Sequence, residues 1–212
     1  MRTTKGISTR SCTQVAFPNG VLLREIALLH DLRGVHQIHA DPRVYAHDPD
    51  ETHADLEHTR NFLTPLRAHW DEHGFGYWTV LVPTTWWPAG VAGPGAGDDG
   101  RRIAGLGGIQ NLELLGSAVL NVYFRLAPAV QRRGLGSLIL RAALQCAAEV
   151  GPGLDVVVRT RPANIPAQRT ADRAGCVDEG TVPGDTCMRL LRRRPPHATF
   201  SSTIHEDRWP VQ

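Results

Sequence analysis

The residues with the clearest chemical meaning lie in one segment, residues 126–137, where a strand is predicted to end and a helix to begin. Gly134 and Gly136 stand at the predicted helix start, directly after Arg132 and Arg133. A helix N-terminus presents unpaired N–H groups and a partial positive charge, and glycine lets a ligand approach the backbone closely. This combination favours a phosphate or pyrophosphate ligand. The alternative is an ordinary strand-to-helix turn with two solvated arginines.

The segment matches neither of two common nucleotide-binding motifs. It lacks the Gly-Lys-Ser/Thr ending of a P-loop, and it lacks the three-glycine spacing of a Rossmann dinucleotide site. Spacing alone therefore indicates an anion at a helix start without indicating which anion.

Three separated motifs together identify a family resemblance. Gln131-Arg132-Arg133-Gly134-Leu135-Gly136 fits the pattern Gln/Arg-x-x-Gly-x-Gly/Ala. Residues 164–169 (Asn-Ile-Pro-Ala-Gln-Arg) precede a Gly-Cys pair, and residues 123–128 read Tyr-Phe-Arg-Leu-Ala-Pro. In this order the motifs resemble the GCN5-related N-acetyltransferases (GNAT). The resemblance covers about residues 21–191 and is closest to the RimJ/RimL type of ribosomal-protein N-terminal acetyltransferase.

The resemblance implies a fold, a co-substrate and a set of binding residues. The implied fold is α/β, with a mixed, mostly antiparallel central sheet that contains a splay and carries helices on both faces. The implied co-substrate is acetyl-CoA, held at the pyrophosphate by the helix start, at the pantetheine by the splayed strand, and near the thioester by an asparagine. Arg169 either reaches the phosphates or is solvated. The residues that would bind acetyl-CoA are Phe124, Arg125, Leu126, Gln131, Arg132, Arg133, Gly134, Leu135, Gly136, Ser137, Asn164 and Arg169.

The resemblance also implies an activity, the transfer of an acetyl group to a primary amine by direct attack in a ternary complex. The acceptor would be a protein N-terminus or the amine of a small molecule. Two groups that relatives use as acids are replaced, since Ala167 and Ala171 stand at the expected serine and tyrosine positions. The alternative is therefore a non-catalytic acyl-CoA-binding or regulatory module.

The group that removes the proton is less clear from the resemblance. Many relatives place a carboxylate on the strand before Leu-Ala-Pro, but Asn121 stands there and cannot take a proton, so Glu113 is the best remaining carboxylate. His73 or His47 could act through water, because histidine titrates near neutral pH. The catalytic candidates are Glu113, Asn121 and His73, and each has an ordinary structural interpretation as well.

A rival motif is His69-Trp70-Asp71-Glu72-His73, which matches the inverted zinc-protease pattern His-x-x-Glu-His. Gly74 ends the predicted helix at once, and no third ligand follows on a matching helix. The sequence therefore predicts no metal cofactor, and a zinc hydrolase remains the minor alternative.

Hydrophobic patterns and turn residues predict the elements that must position these groups. The predicted order is strand, two helices, several consecutive strands, helix, strand, helix and a last pair of strands, with no internal repeat. Strands are predicted at 21–26, 77–82, 102–113, 118–126, 154–160 and within 177–191, and helices at 28–40, 52–73, 134–150 and 167–174.

The remaining segments suggest one domain with ragged ends. Residues 1–19 are predicted to be a flexible lead-in, residues 20–192 the acetyltransferase domain, and residues 193–212 a disordered tail. Residues 83–100 are a loop insertion rich in glycine and proline. Its Trp86-Trp87 pair would be an acceptor lid, a contact in a homodimer, or part of a loop folded back on the domain.

Composition limits partners and location. The net charge of +2 is too small to indicate a nucleic-acid partner. No apolar stretch approaches the roughly 18 residues of a membrane span, and no signal peptide is recognised. The four cysteines, which show no CxxC spacing, are predicted to be free thiols in a reducing compartment. A cytoplasmic location follows as the expectation.

Overall fold

The structure is a computed structural model that describes residues 10–91, 93–95 and 99–195. Eight strands form one sheet in the order β1-β2-β3-β4-β5-β6-β8-β7. The strands are β1 (Gln14–Ala16), β2 (Leu22–Arg24), β3 (Tyr77–Pro83), β4 (Arg101–Leu114), β5 (Ser117–Leu126), β6 (Val156–Thr160), β7 (Val177–Val182) and β8 (Asp185–Arg193). The α-helices are α1 (Arg10–Thr13), α2 (Leu28–His39), α3 (Leu56–His73), α4 (Leu135–Val150) and α5 (Ile165–Arg173).

The sheet is mixed, because β5 and β6 run parallel while every other neighbouring pair is antiparallel. A parallel pair needs a crossover, which here runs through α4. The fold class predicted from the sequence is therefore confirmed: an α/β fold with an open, mostly antiparallel sheet.

Helices cover both faces of the sheet, as adjacent residues of β3 demonstrate. Successive strand residues point to opposite faces. Trp78 donates its indole N–H to the backbone oxygen of Cys12, which is bonded to Cys146 of α4. Thr79 donates its hydroxyl to Asp31 of α2. Hence α4 packs on one face and α2 on the other, where α3 packs beside it.

The helix boundaries follow from local caps. Asp55 accepts a hydrogen bond from the backbone N–H of His58 and starts α3, and Gly74 ends it with a left-handed φ of 70°. Pro65 lies inside α3, which nevertheless runs unbroken. Asn164 caps α5, whose start at Ile165 lies two residues before the predicted one.

The N-terminal lead-in differs from its prediction, because residues 10–16 form α1 and the edge strand β1. Cys12 and Cys146 form a disulfide across 134 residues, whereas Cys176 and Cys187 are free. The prediction of free thiols was thus wrong for Cys12 and Cys146, since the absence of CxxC spacing does not reveal pairs that folding brings together. The cysteine pattern therefore no longer indicates a reducing compartment.

The predicted tail lies outside the described residues from residue 196 onward. Within the described part of the chain, no helix has the length and apolar character needed to cross a membrane.

Candidate functional site

The central feature of the site is a separation between β5 and β6. The two strands pair only from Leu120 with Val156 to Val122 with Val158. Beyond this point β5 continues to Leu126, still paired with β4 on its other side. The predicted splay is therefore present.

The direction of the backbone groups along β5 follows from one hydrogen bond. Leu120 donates its N–H to the carbonyl oxygen of Asp155 on the β6 side, at 2.9 Å. Because backbone groups alternate along a strand, the N–H and C=O of Phe124 also face that side, beyond the point where β6 diverges. The Leu126 carbonyl accepts the side-chain amide of Gln131 at 2.9 Å. Phe124 thus presents an open edge at which an extended, amide-bearing ligand can pair.

The start of α4 lies beside this open edge. Its N-cap residue, Gly134, has a left-handed φ of 78° and no side chain with which to cap the first turn. The first N–H groups of a helix have no intrahelical partner, so those of Leu135, Gly136 and Ser137 are directed out of the helix start. Leu135 is buried and acts only through its backbone. The arrangement fits a pyrophosphate.

Gly136 joins the helix start to the splay. A β-carbon at this position would lie 3.3 Å from the ring of Phe124, tighter than most contacts of this kind. The glycine thereby allows the helix start and β5 to lie side by side. A single elongated molecule can therefore contact both.

Arginines and the glycine-rich loop border the helix start. Arg132 and Arg133 are exposed, and the Arg133 guanidinium lies over the ring of Trp86, 5.6 Å from its centroid. Trp86 and Trp87 are half-buried against the core, and Gly93 packs against the Trp87 ring. The described part of the loop is therefore folded back on the domain, one of the interpretations that the sequence allowed.

Helix α5 supplies the remaining predicted contacts. The Asn164 side-chain oxygen accepts the backbone N–H of Ala167 at 3.3 Å, so this asparagine serves as a helix cap. Arg169 is exposed. Ala167 and Ala171 are buried and carry no hydroxyl, so α5 offers no acid at either position.

On the α2 face, β5 presents the polar row Asn121, Tyr123 and Arg125. The Arg125 guanidinium donates to the Tyr123 hydroxyl at 3.0 Å and lies 3.8 Å from the centroid of the Tyr45 ring. Tyr45 belongs to the α2–α3 connection, which a second contact fixes: Arg161 pairs with Asp48 at 2.8 Å. This connection and the polar row enclose one side of the splay. We call this side the acceptor face.

A histidine network supports the acceptor face, and the sequence did not indicate it. His39 Nδ1 and the Tyr45 hydroxyl are 2.7 Å apart, and His53 Nδ1 and the Thr59 hydroxyl are 2.9 Å apart. Burial, followed by the charge of His53, lowers the pKa of His39 well below its usual range. Burial, followed by the charge of His58, lowers the pKa of His53 to about 4. The spacing of these histidines matches no catalytic motif, so only the fold reveals their contact.

These pKa shifts predict that the protein loses stability in mild acid. In the unfolded chain both histidines titrate near 6.5, whereas in the folded protein they stay neutral to lower pH. As pH falls below 6.5 the unfolded state binds more protons, so the free energy of unfolding decreases; the stability is complete only above that pH. The limiting slope is about 1.4 kcal/mol per pH unit for each histidine. Urea unfolding at pH 7 and pH 5 measures the effect.

A matched pair of variants tests whether His53 causes this pH dependence of the free energy of unfolding. His53→Gln should flatten the pH dependence, whereas His47→Gln, which alters an exposed histidine, should keep it. An equal slope in both variants would assign the acid sensitivity to other groups.

The structure separates the three catalytic candidates. Asn121 lies two residues before Tyr123, in the last paired residues before the splay. Glu113 is exposed and pairs with Ala118, five residues before Tyr123, which is ~17 Å along the strand. His73 ends α3, where its ring lies 3.7 Å from Glu72. Asn121 therefore borders the splay, whereas Glu113 lies far from it along the strand.

The rival zinc motif is engaged in structural contacts. His69 Nδ1 donates to the Phe75 carbonyl at 2.8 Å, and Nε2 accepts the Asn111 backbone N–H at 3.2 Å. Both ring nitrogens are therefore occupied. Across residues 10–91, 93–95 and 99–195, no group of three or more His, Cys, Asp or Glu side chains is arranged to hold a metal ion.

Comparisons with solved structures agree with this fold. An acetyltransferase from Agrobacterium tumefaciens str. C58 has a TM-score of 0.64 at 19% identity, covering 92% of this chain and 99% of its own. RimL, the ribosomal L7/L12 alpha-N-protein acetyltransferase solved in complex with coenzyme A, has a TM-score of 0.63 at 16% identity, covering 86% and 98%. The yncA protein of Salmonella typhimurium, solved with acetyl-CoA, has a TM-score of 0.58 at 14% identity, covering 84% and 96%.

Family membership rests on the sequence match. No curated protein matches the sequence significantly. The family model described as acetyltransferase (GNAT) domain matches residues 21–177, well over half of the chain. The chain therefore belongs to the GNAT acetyltransferase family.

Proposed function

We propose that the protein is an acetyl-CoA-dependent N-acetyltransferase that acetylates a primary amine, either a protein N-terminus or a small molecule. The observation that carries this proposal is the open edge of β5 at Phe124 beside the uncapped start of α4. One extended molecule with amides at one end and a pyrophosphate at the other fits both features. The GNAT neighbours solved with coenzyme A and acetyl-CoA support the choice of ligand.

In this proposal, different residues bind different parts of acetyl-CoA. Backbone N–H groups from Arg132 to Ser137 hold the pyrophosphate, with the Arg132 and Arg133 side chains adding positive charge at the rim. Backbone groups of Phe124 to Leu126 pair with the pantetheine amides. Asn164 orders the start of α5 beside this arm, and Arg169 is available to the phosphates.

Acetyl-CoA supplies an acetyl thioester, and the amine attacks its carbonyl carbon directly in a ternary complex. The acceptor face then has to orient the amine and allow its proton to leave. For proton removal we propose a route through water, with His73 as a candidate acceptor, because Asn121 is not a base and Glu113 lies far along the strand. Residues 167 and 171 of α5 are alanines and cannot donate a proton, so the leaving thiolate would take its proton from water as well.

Turnover on a panel of amines tests the proposal. Purified protein with acetyl-CoA should release free thiol only when an accepted amine is present, and mass spectrometry should find the N-acetylated amine. Acetyl-CoA binding without turnover on any amine or peptide would instead support the non-catalytic acyl-CoA-binding module, which the buried Ala167 and Ala171 favour.

A further inference from the structure

Arg159 holds a position that the proposed chemistry has not used. It is the first residue of β6 after Val158, the last residue paired with β5, so it stands opposite Tyr123 at the mouth of the splay. Strand alternation places it on the same face as Asn121, which its side chain contacts. Its side chain is exposed. An arginine therefore stands where an acceptor has to approach.

The charge of Arg159 is not neutralised, unlike those of two arginines near it. Arg161 pairs with Asp48, and Arg189 pairs with Asp178. Within the part of the chain that the structure describes, Arg159 has no carboxylate within salt-bridge distance. The guanidinium is therefore available to a negatively charged group of a ligand at the mouth of the splay.

One hydrogen bond to a buried side chain orients Arg159. Its Nε donates to the Asn121 side-chain oxygen at 3.4 Å, and the Asn121 amide donates to the Tyr77 hydroxyl at 2.7 Å. Asn121 is only 9% exposed and Tyr77 is buried. Because Nε makes the internal contact, the two terminal nitrogens remain for a ligand. Two parallel N–H groups are suited to bidentate binding of a carboxylate.

The α2–α3 connection, which borders the acceptor face, is acidic. The α2–α3 connection carries Asp48, Asp50 and Glu51, of which Asp48 is paired with Arg161. Exposed carboxylates there favour the positive charge of an approaching ammonium.

We propose that the acceptor is a primary amine that also carries a carboxylate, and that Arg159, positioned by Asn121 and Tyr77, binds this carboxylate. This inference rests on the proposed acetyltransferase function and names its substrate class. It gives Asn121 a positioning role at the place where many relatives have a carboxylate.

Paired acceptors test the inference, each pair differing only in a carboxylate or a carboxamide, such as glycine and glycinamide or peptides ending in either group. The wild-type kcat/KM should favour the acid at least 10-fold, mainly through KM. Arg159→Gln should reduce this ratio to near one, and Arg159→Lys should restore part of it. Arg141→Gln, which removes an exposed arginine of α4, should keep the full ratio. Acetyl-CoA affinity in each variant checks that the splay is intact.

Three outcomes overturn the inference in distinguishable ways. If the wild type uses acids and amides equally well, the enzyme does not recognise a carboxylate, and the proposed acetyltransferase function is unaffected. An equal loss of kcat on both members of each pair in Arg159→Gln assigns the guanidinium to the reacting thioester instead. Lack of turnover on every amine, with acetyl-CoA binding intact, overturns the proposed function itself and this inference with it.

Discussion

Replacing Gly136 by valine is expected to weaken acetyl-CoA binding at least 100-fold while leaving a folded protein. A β-carbon at residue 136 already lies 3.3 Å from the Phe124 ring, and the branched side chain would fill the space between the α4 start and the splay. The ligand has to approach these same backbone groups closely. Isothermal titration with acetyl-CoA measures the affinity, and circular dichroism checks the fold.

Gly153 offers a matched control because a β-carbon there meets no atom within 4 Å and the residue does not have a left-handed φ. Gly153→Val should bind acetyl-CoA as the wild type does. If Gly136→Val bound acetyl-CoA equally well, the ligand would not occupy the gap between α4 and β5.

Replacing Asp31 by alanine is expected to reduce the free energy of unfolding by about 3–5 kcal/mol, because it breaks a buried ion pair. Asp31 is 1% exposed, and its carboxylate accepts hydrogen bonds from both terminal nitrogens of Arg24, the Ala27 N–H and the Thr79 hydroxyl. The substitution removes the acceptor shared by these four donor groups and loosens α2 from the sheet. Urea unfolding measures the change.

Asp41 provides the comparison, because it pairs with Arg43, whose side chain is 77% exposed. Solvent competes for such a pair, so Asp41→Ala should cost far less stability. Similar losses in the two variants would mean that the Asp31 cluster does not anchor α2.

The sequence predicted the parts of the site whose signals are local. Gly134 and Gly136 follow a strand and precede a helix, so the start of α4 was predictable from turn chemistry alone. The splay required the family resemblance, because residues 123–126 are continuous with β5 and only the short pairing of β6 exposes them.

The rest of the site depends on contacts between distant segments. The Cys12–Cys146 disulfide joins residues 134 apart, and no spacing rule connects them. His39 and His53 lie on different elements, and their neutral state results from burial rather than from a motif. Arg159 lies within the strand predicted at 154–160, and only the register with β5 places it opposite Tyr123.

Direct titration of the purified protein with acetyl-CoA tests the central claim most simply. One site per chain with a dissociation constant in the micromolar range is the predicted result, and binding should be lost in Gly136→Val. Absence of any binding at millimolar acetyl-CoA or CoA would contradict the assignment of the splay and the α4 start as the acyl-CoA site.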